Sequence, residues 1–362
     1  MNELIEVSTG KGTGTGTGKK ILSPIEKLPT ELHHYTIFNH LPDEDLYRLS
    51  QTSPAMYAEC KAPLQERAMK KLLFYVVRAE EALALKMIRA NLKFLLHTSG
   101  ATDYSNRTYR GYTPFQAALL CHDVRLWKKM EPYFDGLPDG QTEKAKQFNE
   151  LFPEGIPQGT PYDFSVLIQT ITTSSAADID AALEKTQNDT AICNALNHFR
   201  GDFKALAMQE TFFNPLHLIR ALKVYNEQFD NWSWAKRDLF WRQVIGYTQR
   251  FLPACLAQAV VQGLYSIVEE QQPVGRSLKF KYDSGSYFPL VDSSGLGFDF
   301  AMGACGCARC APGRDAVVAR CFDKLCRANT SELRRLECRV QGAGESITDN
   351  DTLTSRSWCT IS

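Results

Sequence analysis

The sequence predicts a mainly α protein: a small N-terminal three-helix unit, a short helical solenoid, and a larger helical C-terminal domain carrying a small β-hairpin. Three observations predict it. Apolar residues recur three and four apart through most segments, Ser, Thr, Asn, Asp and Pro punctuate those runs, and strand-like alternation is confined to Leu278, Phe280 and Tyr282. At 362 residues the chain also exceeds the roughly 250 at which a single core stops growing, so several compact units are expected.

Residues 1–21 hold the tract GKGTGTGTGKK, which has nothing apolar to bury and reads as a flexible leader. A phosphate loop is excluded there, because Thr13 stands where the motif needs Gly and Lys20 where it needs Ser or Thr. Residues 22–63 place Leu28, Leu32, Ile37, Phe38 and Leu41 at helical spacings, break at Pro42-Asp43, and resume with Leu46, Leu49 and Met56. About forty residues make a marginal domain, so one apolar face of this three-helix cluster needs a cover.

Residues 64–135 contain RGYTPFQAALLCHDVRLWKKMEPYF and, roughly forty residues earlier, a comparable pair of helical stretches in YVVRAEEALALKMIRANLKFLL. Residues 136–160 are rich in Pro and Gly around one short helix and read as a linker. Residues 161–340 follow as a helical domain. Ser175 and Asp178 cap one helix, Asn214-Pro215 opens another, and Phe240, Val244, Tyr247 and Phe251 form the stripe of a third. Pro253 starts a helix expected to run through Val268, Asp283-Ser284-Gly285 turns the hairpin, and Val318, Phe322 and Leu325 mark a last amphipathic helix. The Ser/Thr-rich residues 341–362 read as a disordered tail.

Lys plus Arg equals Asp plus Glu at 41 each, so no excess of positive charge is available for nucleic acid. No apolar run approaches the roughly 18 residues that would cross a bilayer, and MNELIEVSTG lacks the parts of a general secretory signal. Eleven cysteines, an odd number, argue for reduced thiols; Cys60, Cys121, Cys193 and Cys255 sit singly in apolar helical patterns. Cys305, Cys307 and Cys310 form one closely spaced group, but its neighbours Cys321 and Cys326 do not supply a second two-residue pair. Free thiols are the preferred reading and a metal the alternative. No cofactor and no catalytic constellation is expected, and Trp232, Trp234 and Trp241 read as core.

The N-terminal cluster resembles an F-box through Leu28-Pro29-x-Glu31-Leu32, Ile37-Phe38-x-x-Leu41, Asp45-Leu46-x-x-Leu49 and Ser53. The resemblance implies that Leu28, Pro29, Leu32, Ile37, Phe38, Leu41, Leu46 and Leu49 bind the Skp adaptor of a cullin-RING ubiquitin ligase. His33, His34 and Tyr35 are polar insertions unusual in that pattern. The second region resembles ankyrin repeats through Gly111, Thr113, Pro114, Ala117 and Ala118, departing from them at Gln116, where His is usual, and at Cys121-His122, where Gly would end the helix. The ending Cys359-Thr360-Ile361-Ser362 fits a prenylation box, with Ser favouring farnesyl at Cys359.

Together these features resemble F-box/ankyrin effectors that intracellular bacteria inject through a type IV secretion system. That resemblance implies a non-catalytic adaptor in the host cytoplasm, partly on host membranes through farnesyl, bridging the host Skp adaptor and cullin-RING ligase to an unknown protein substrate. Two alternatives stay open: residues 161–340 are an unrecognised enzyme positioned by the F-box, or the chain is a plain ankyrin-type scaffold. A scaffold would bury the first cluster's apolar face on Leu72, Leu73 and Val76.

Overall fold

The structure, a computed structural model, describes residues 23–184, 186, 189–276, 300–306, 308–309 and 316–345. It is mainly helical. The described residues open with a 3-10 turn at Ile25–Lys27, then α1 (Thr30–Leu32) continuing as a π-helical stretch His33–Phe38, α2 (Asp43–Ser50) and α3 (Pro54–Val77). Phe38, Leu46 and Cys60 form a small buried core among these helices, with Ile37, Leu41, Leu49 and Leu64 packed around it.

The expected boundary at residue 63 falls inside α3, at Pro63. The second half of α3 leaves the first core and puts Met69, Leu72, Leu73, Val76 and Val77 into a second. It is joined there by α4 (Glu81–Ala90), α5 (Pro114–Leu120), α6 (Val124–Phe134) and α7 (Gly140–Leu151). The stretch expected as a linker therefore carries a twelve-residue helix, and Phe148 and Phe152 anchor it in that core.

Two helices of this region end in the same way. After α3, Ala79 is left-handed at φ 58°; after α5, His122 is left-handed at φ 55°. Each ends its helix with the same pair of bonds: Ala79 N–H to Val76 and Glu80 N–H to Tyr75, then His122 N–H to Leu119 and Asp123 N–H to Ala118. This double closure satisfies the last carbonyls of a helix and usually takes glycine at the left-handed position. Between the two helix pairs lies a hairpin, β1 (Ser99–Thr102) with β2 (Thr108–Tyr112). Its turn is organised by the Asp103 carboxylate, which accepts from Ser105 N–H and Oγ, Arg107 N–H and the Tyr109 hydroxyl.

The third core belongs to α8 (Ser165–Thr173), α9 (Ala176–Glu184), α10 (Ala191–Gln209), α11 (Leu216–Gln228) and α12 (Trp234–Phe240). After α12 come a π-helical Trp241–Ile245, α13 (Gly246–Gln249), α14 (Ala254–Gln262), α15 (Leu264–Val268) and the short pair β3 (Ala301–Met302) and β4 (Ala308–Arg309). The helix expected through Val268 breaks at Gly263, φ 112°, because the backbone at Gly306 crosses it. A Cβ at Gly306 would meet the Val261 carbonyl at 2.6 Å. The hairpin expected at Leu278–Tyr282 lies outside the described residues. Trp232 and Trp241 are core, while Trp234 is 55% exposed.

Helix α16 (Ala316–Glu345) spans about 45 Å at the usual rise and serves two cores. Val318, Cys321, Phe322 and Cys326 enter the third core; Leu333, Leu336 and Val340 enter the second. Its helical backbone passes residue 340, where the tail was expected to begin.

Candidate functional site

The N-terminal unit presents the first candidate site. Leu28 and Leu32 are 40% and 46% exposed, Pro29 is exposed between them, and Tyr35 follows at 77%. Phe38 and Leu46, expected on the same adaptor-binding face, are 1% and 0% exposed. They are corrected to core residues. Ile37, Leu41 and Leu49 are half-buried against that core. The residues Leu72, Leu73 and Val76, which a pure scaffold would use to cover Leu28 and Leu32, are spent in the second core.

A π-helical turn explains this division. His33 and Phe38 are both buried although five positions apart, a spacing that a wider π turn brings onto one side and an α-helix does not. Their rings stack at 5.7 Å. With that side turned inward, Leu32 and Tyr35 face solvent. Three polar ties then hold the exposed segment to α3. His33 Nε2 meets the Ile25 carbonyl at 2.7 Å while Nδ1 bonds Glu59. Glu26 accepts from Ser53 Oγ, and Ser53 in turn caps α3 by accepting from Met56 N–H at 3.2 Å. Arg67 of α3 donates to the Phe38 and Leu41 carbonyls and pairs with Asp43 at 2.9 Å.

Burial opposes charge on His33, but the Ile25 carbonyl and the Glu59 carboxylate outweigh it and raise the ring above its ordinary value. Burial, reinforced by Glu59, pushes the Cys60 thiol up to about 11.

The second candidate site is the repeat motif. Gly111 stands at φ 74°, where its lack of a side chain is required by the backbone. Thr113 caps α5 in a reciprocal box: its Oγ1 accepts from Gln116 N–H, and Gln116 Oε1 accepts from Thr113 N–H. Pro114 occupies the first turn, and Ala117 and Ala118 are fully buried. Gln116, the departure from the ankyrin pattern, donates through Nε2 to the Gln147 carbonyl. Gln147 accepts from Thr113 Oγ1 at 2.6 Å and donates to the Leu95 carbonyl, tying α5 to α7. The motif residues therefore hold the stack together from inside, and all of them except Gly111 are buried.

Where the second and third cores meet, the polar groups are buried and mostly paired. His122 donates from Nε2 to the Phe213 carbonyl at 3.0 Å, stacks on Phe212 at 4.3 Å, and offers its own carbonyl to Asn329 of α16. Its Nδ1 has no partner among the described residues. Burial, and the positive Arg107 nearby, lower its pKa to about 4 against the raising effect of the Phe213 carbonyl. Arg276 grips Asp123 with two bonds of 2.7 Å and also reaches Glu81, which Arg125 and Lys129 share.

Burial raises the thiols of Cys121, Cys255, Cys321 and Cys326, which leaves them protonated and unreactive. Among the described residues there is no group of three or more His, Cys, Asp or Glu placed to hold a metal. Cys305 is exposed, while Cys307 and Cys310 lie outside the described residues, as does Cys359. Among the described residues no helix is long and apolar enough to cross a membrane.

Residues 217–340 match a family described as the CBUA0006 C-terminal domain. The chain is also similar to an uncharacterized protein, CBUA0006, of Coxiella burnetii (strain RSA 493 / Nine Mile phase I). The two are 25% identical over 313 residues, which is 81% of this chain and 82% of the relative. No solved structure matches the chain.

Proposed function

We propose that the protein is a non-catalytic adaptor of the bacterial effector type. Its N-terminal unit docks on the host Skp adaptor of a cullin-RING ligase, and its second and third units carry a protein target. The observation that carries this reading is the outward display of Leu28, Pro29 and Leu32 on a unit that is otherwise closed by His33, Glu26 and Arg67. Exposed apolar groups held rigidly by buried polar ties suit a partner's hydrophobic groove, because little conformational freedom is lost on docking. The raised thiols and the buried repeat motif favour a platform over a reaction centre. Similarity to a Coxiella burnetii protein over most of both chains supports the effector-type reading.

Affinity purification from host cells tests it. Burying an aliphatic side chain contributes roughly 1.5 to 3 kcal/mol, so replacing Leu28 and Pro29 together by Ala should weaken adaptor capture tenfold or more. Equal recovery of Skp adaptor and cullin by wild type and the double variant sinks the proposal.

A further inference from the structure

We propose that His33 is a charged latch: a buried imidazolium whose two N–H groups tie the turn preceding Leu28 to Glu59 on α3, holding the Leu28–Pro29 segment in place until the ring loses its proton. The assignment follows from counting donors. His33 faces two oxygens, a backbone carbonyl at Nε2 and a carboxylate at Nδ1. Neither the carbonyl nor the ionised carboxylate can donate, and a neutral imidazole has only one N–H. Both bonds are made together only by the protonated ring. The His33 side chain is 1% exposed, and the Glu59 carboxylate beside it offsets the cost of burying a charged ring there.

Among the described residues, the hydrogen-bond partners of the ring are the Ile25 carbonyl and Glu59. Its own helix contributes Phe38, stacked on one face. From α3 come Glu59 and the neighbouring Cys60 thiol, which stays protonated. From the preceding turn comes Glu26, whose carboxylate already accepts from Ser23 N–H and Ser53 Oγ. Arg67, a cation of α3, is directed at the Phe38 and Leu41 carbonyls and Asp43.

The latch acts on the docking segment through one atom. The Ile25 carbonyl accepts from His33 Nε2 and also from Leu28 N–H at 3.0 Å. A three-residue 3-10 turn has little stability of its own, so this shared oxygen and the Glu26–Ser53 bond set where Leu28 and Pro29 stand. Because the folded ring is raised above its unfolded value, the latch is complete below about pH 6.5 and is lost as pH rises through the folded pKa. Its effect on docking rests on the adaptor reading; the latch itself does not.

The test is a histidine-resolved NMR titration of the full chain, with the His33 signal assigned by its absence in His33→Gln. A His33 midpoint above 6.5 is expected, moving down in Glu59→Gln. Should His33→Gln fail to fold, the Glu59→Gln shift carries the test, since that residue lies at the edge of the unit. Amide exchange at Leu28, corrected for its intrinsic pH dependence, should lose about tenfold protection once pH exceeds the midpoint. A midpoint at or below 6.5, or Leu28 protection that ignores the titration, overturns the latch. Binding to purified Skp adaptor on either side of the midpoint separates the two claims. Weaker binding above it supports both, and a latch that titrates as expected with no binding at any pH supports the latch and overturns the adaptor reading.

Discussion

His33 and His122 are both 1% exposed, yet the fold drives their charges in opposite directions. His33 meets two acceptors, a carbonyl and a carboxylate, and is raised; His122 meets one carbonyl, an aromatic face and a nearby guanidinium, and is lowered to about 4. Burial alone would lower both. What a buried histidine becomes is set by the acceptors its two nitrogens face. The two regions they belong to differ in the same sense. The N-terminal unit has a core of three fully buried apolar residues and depends on polar ties, whereas the second core is large and its polar groups close helix ends and the joint with the third.

The largest expected effect separates inside from outside in the N-terminal unit. Phe38→Ala removes its largest core side chain and should cost about 3 to 5 kcal/mol in denaturant unfolding of the full chain. Leu32→Ala should change stability by less than about 0.5 kcal/mol, because its side chain is nearly half exposed. Equal costs would mean that the π turn does not divide the helix as described.

Next is the joint between the second and third cores. Asp123→Ala removes the cap of α6 and two of Arg276's bonds, leaving a mostly buried cation with Glu81 as its carboxylate partner among the described residues. A loss of about 3 kcal/mol is expected, the lower end for breaking a buried pair, since Glu81 still compensates part of the charge. A loss below 1 kcal/mol would show that the joint is held elsewhere.

A smaller effect depends on pH. With His122 depressed in the fold, its contribution is present above its unfolded value near 6.5 and is lost as pH falls towards 4. Between pH 7 and 5 the wild type should lose about 2 kcal/mol relative to His122→Asn, since one pKa unit corresponds to about 1.36 kcal/mol. Asn is chosen because it tolerates the left-handed backbone at this position. Parallel stability-versus-pH curves would refute the assignment. His33 has the opposite slope, so acidification should tighten the N-terminal unit while loosening the joint.

What could be read in the sequence was what neighbouring residues decide. Thr113-Pro114, Ser175 with Asp178, and Asn214-Pro215 start helices where expected, because a cap acts within its own first turn. What a distant segment decides was hidden. Gly263 breaks its helix because Gly306 crosses it, and α7 becomes part of the second core because Gln147 meets Thr113 and Gln116. The β1–β2 hairpin carries no alternation of buried and exposed residues along β1; Asp103 and packing on α3 define it. At the candidate site, Leu28, Pro29 and Leu32 are legible as an outward apolar set. The F-box resemblance puts Phe38 on the adaptor-binding face, whereas the π turn buries it together with His33.

The central claim is that an outward Leu28–Pro29–Leu32 surface docks on a Skp adaptor while the buried residues of the same unit only support it. Titration of the purified full chain with purified Skp adaptor, followed by calorimetry at pH 6, tests this most directly. The account predicts saturable one-to-one binding, weakened at least tenfold by Leu28→Ala with Pro29→Ala and unchanged by Arg48→Ala at the exposed Glu44–Arg48 pair. Absence of binding by the wild type, or equal affinity of the double variant, would contradict it.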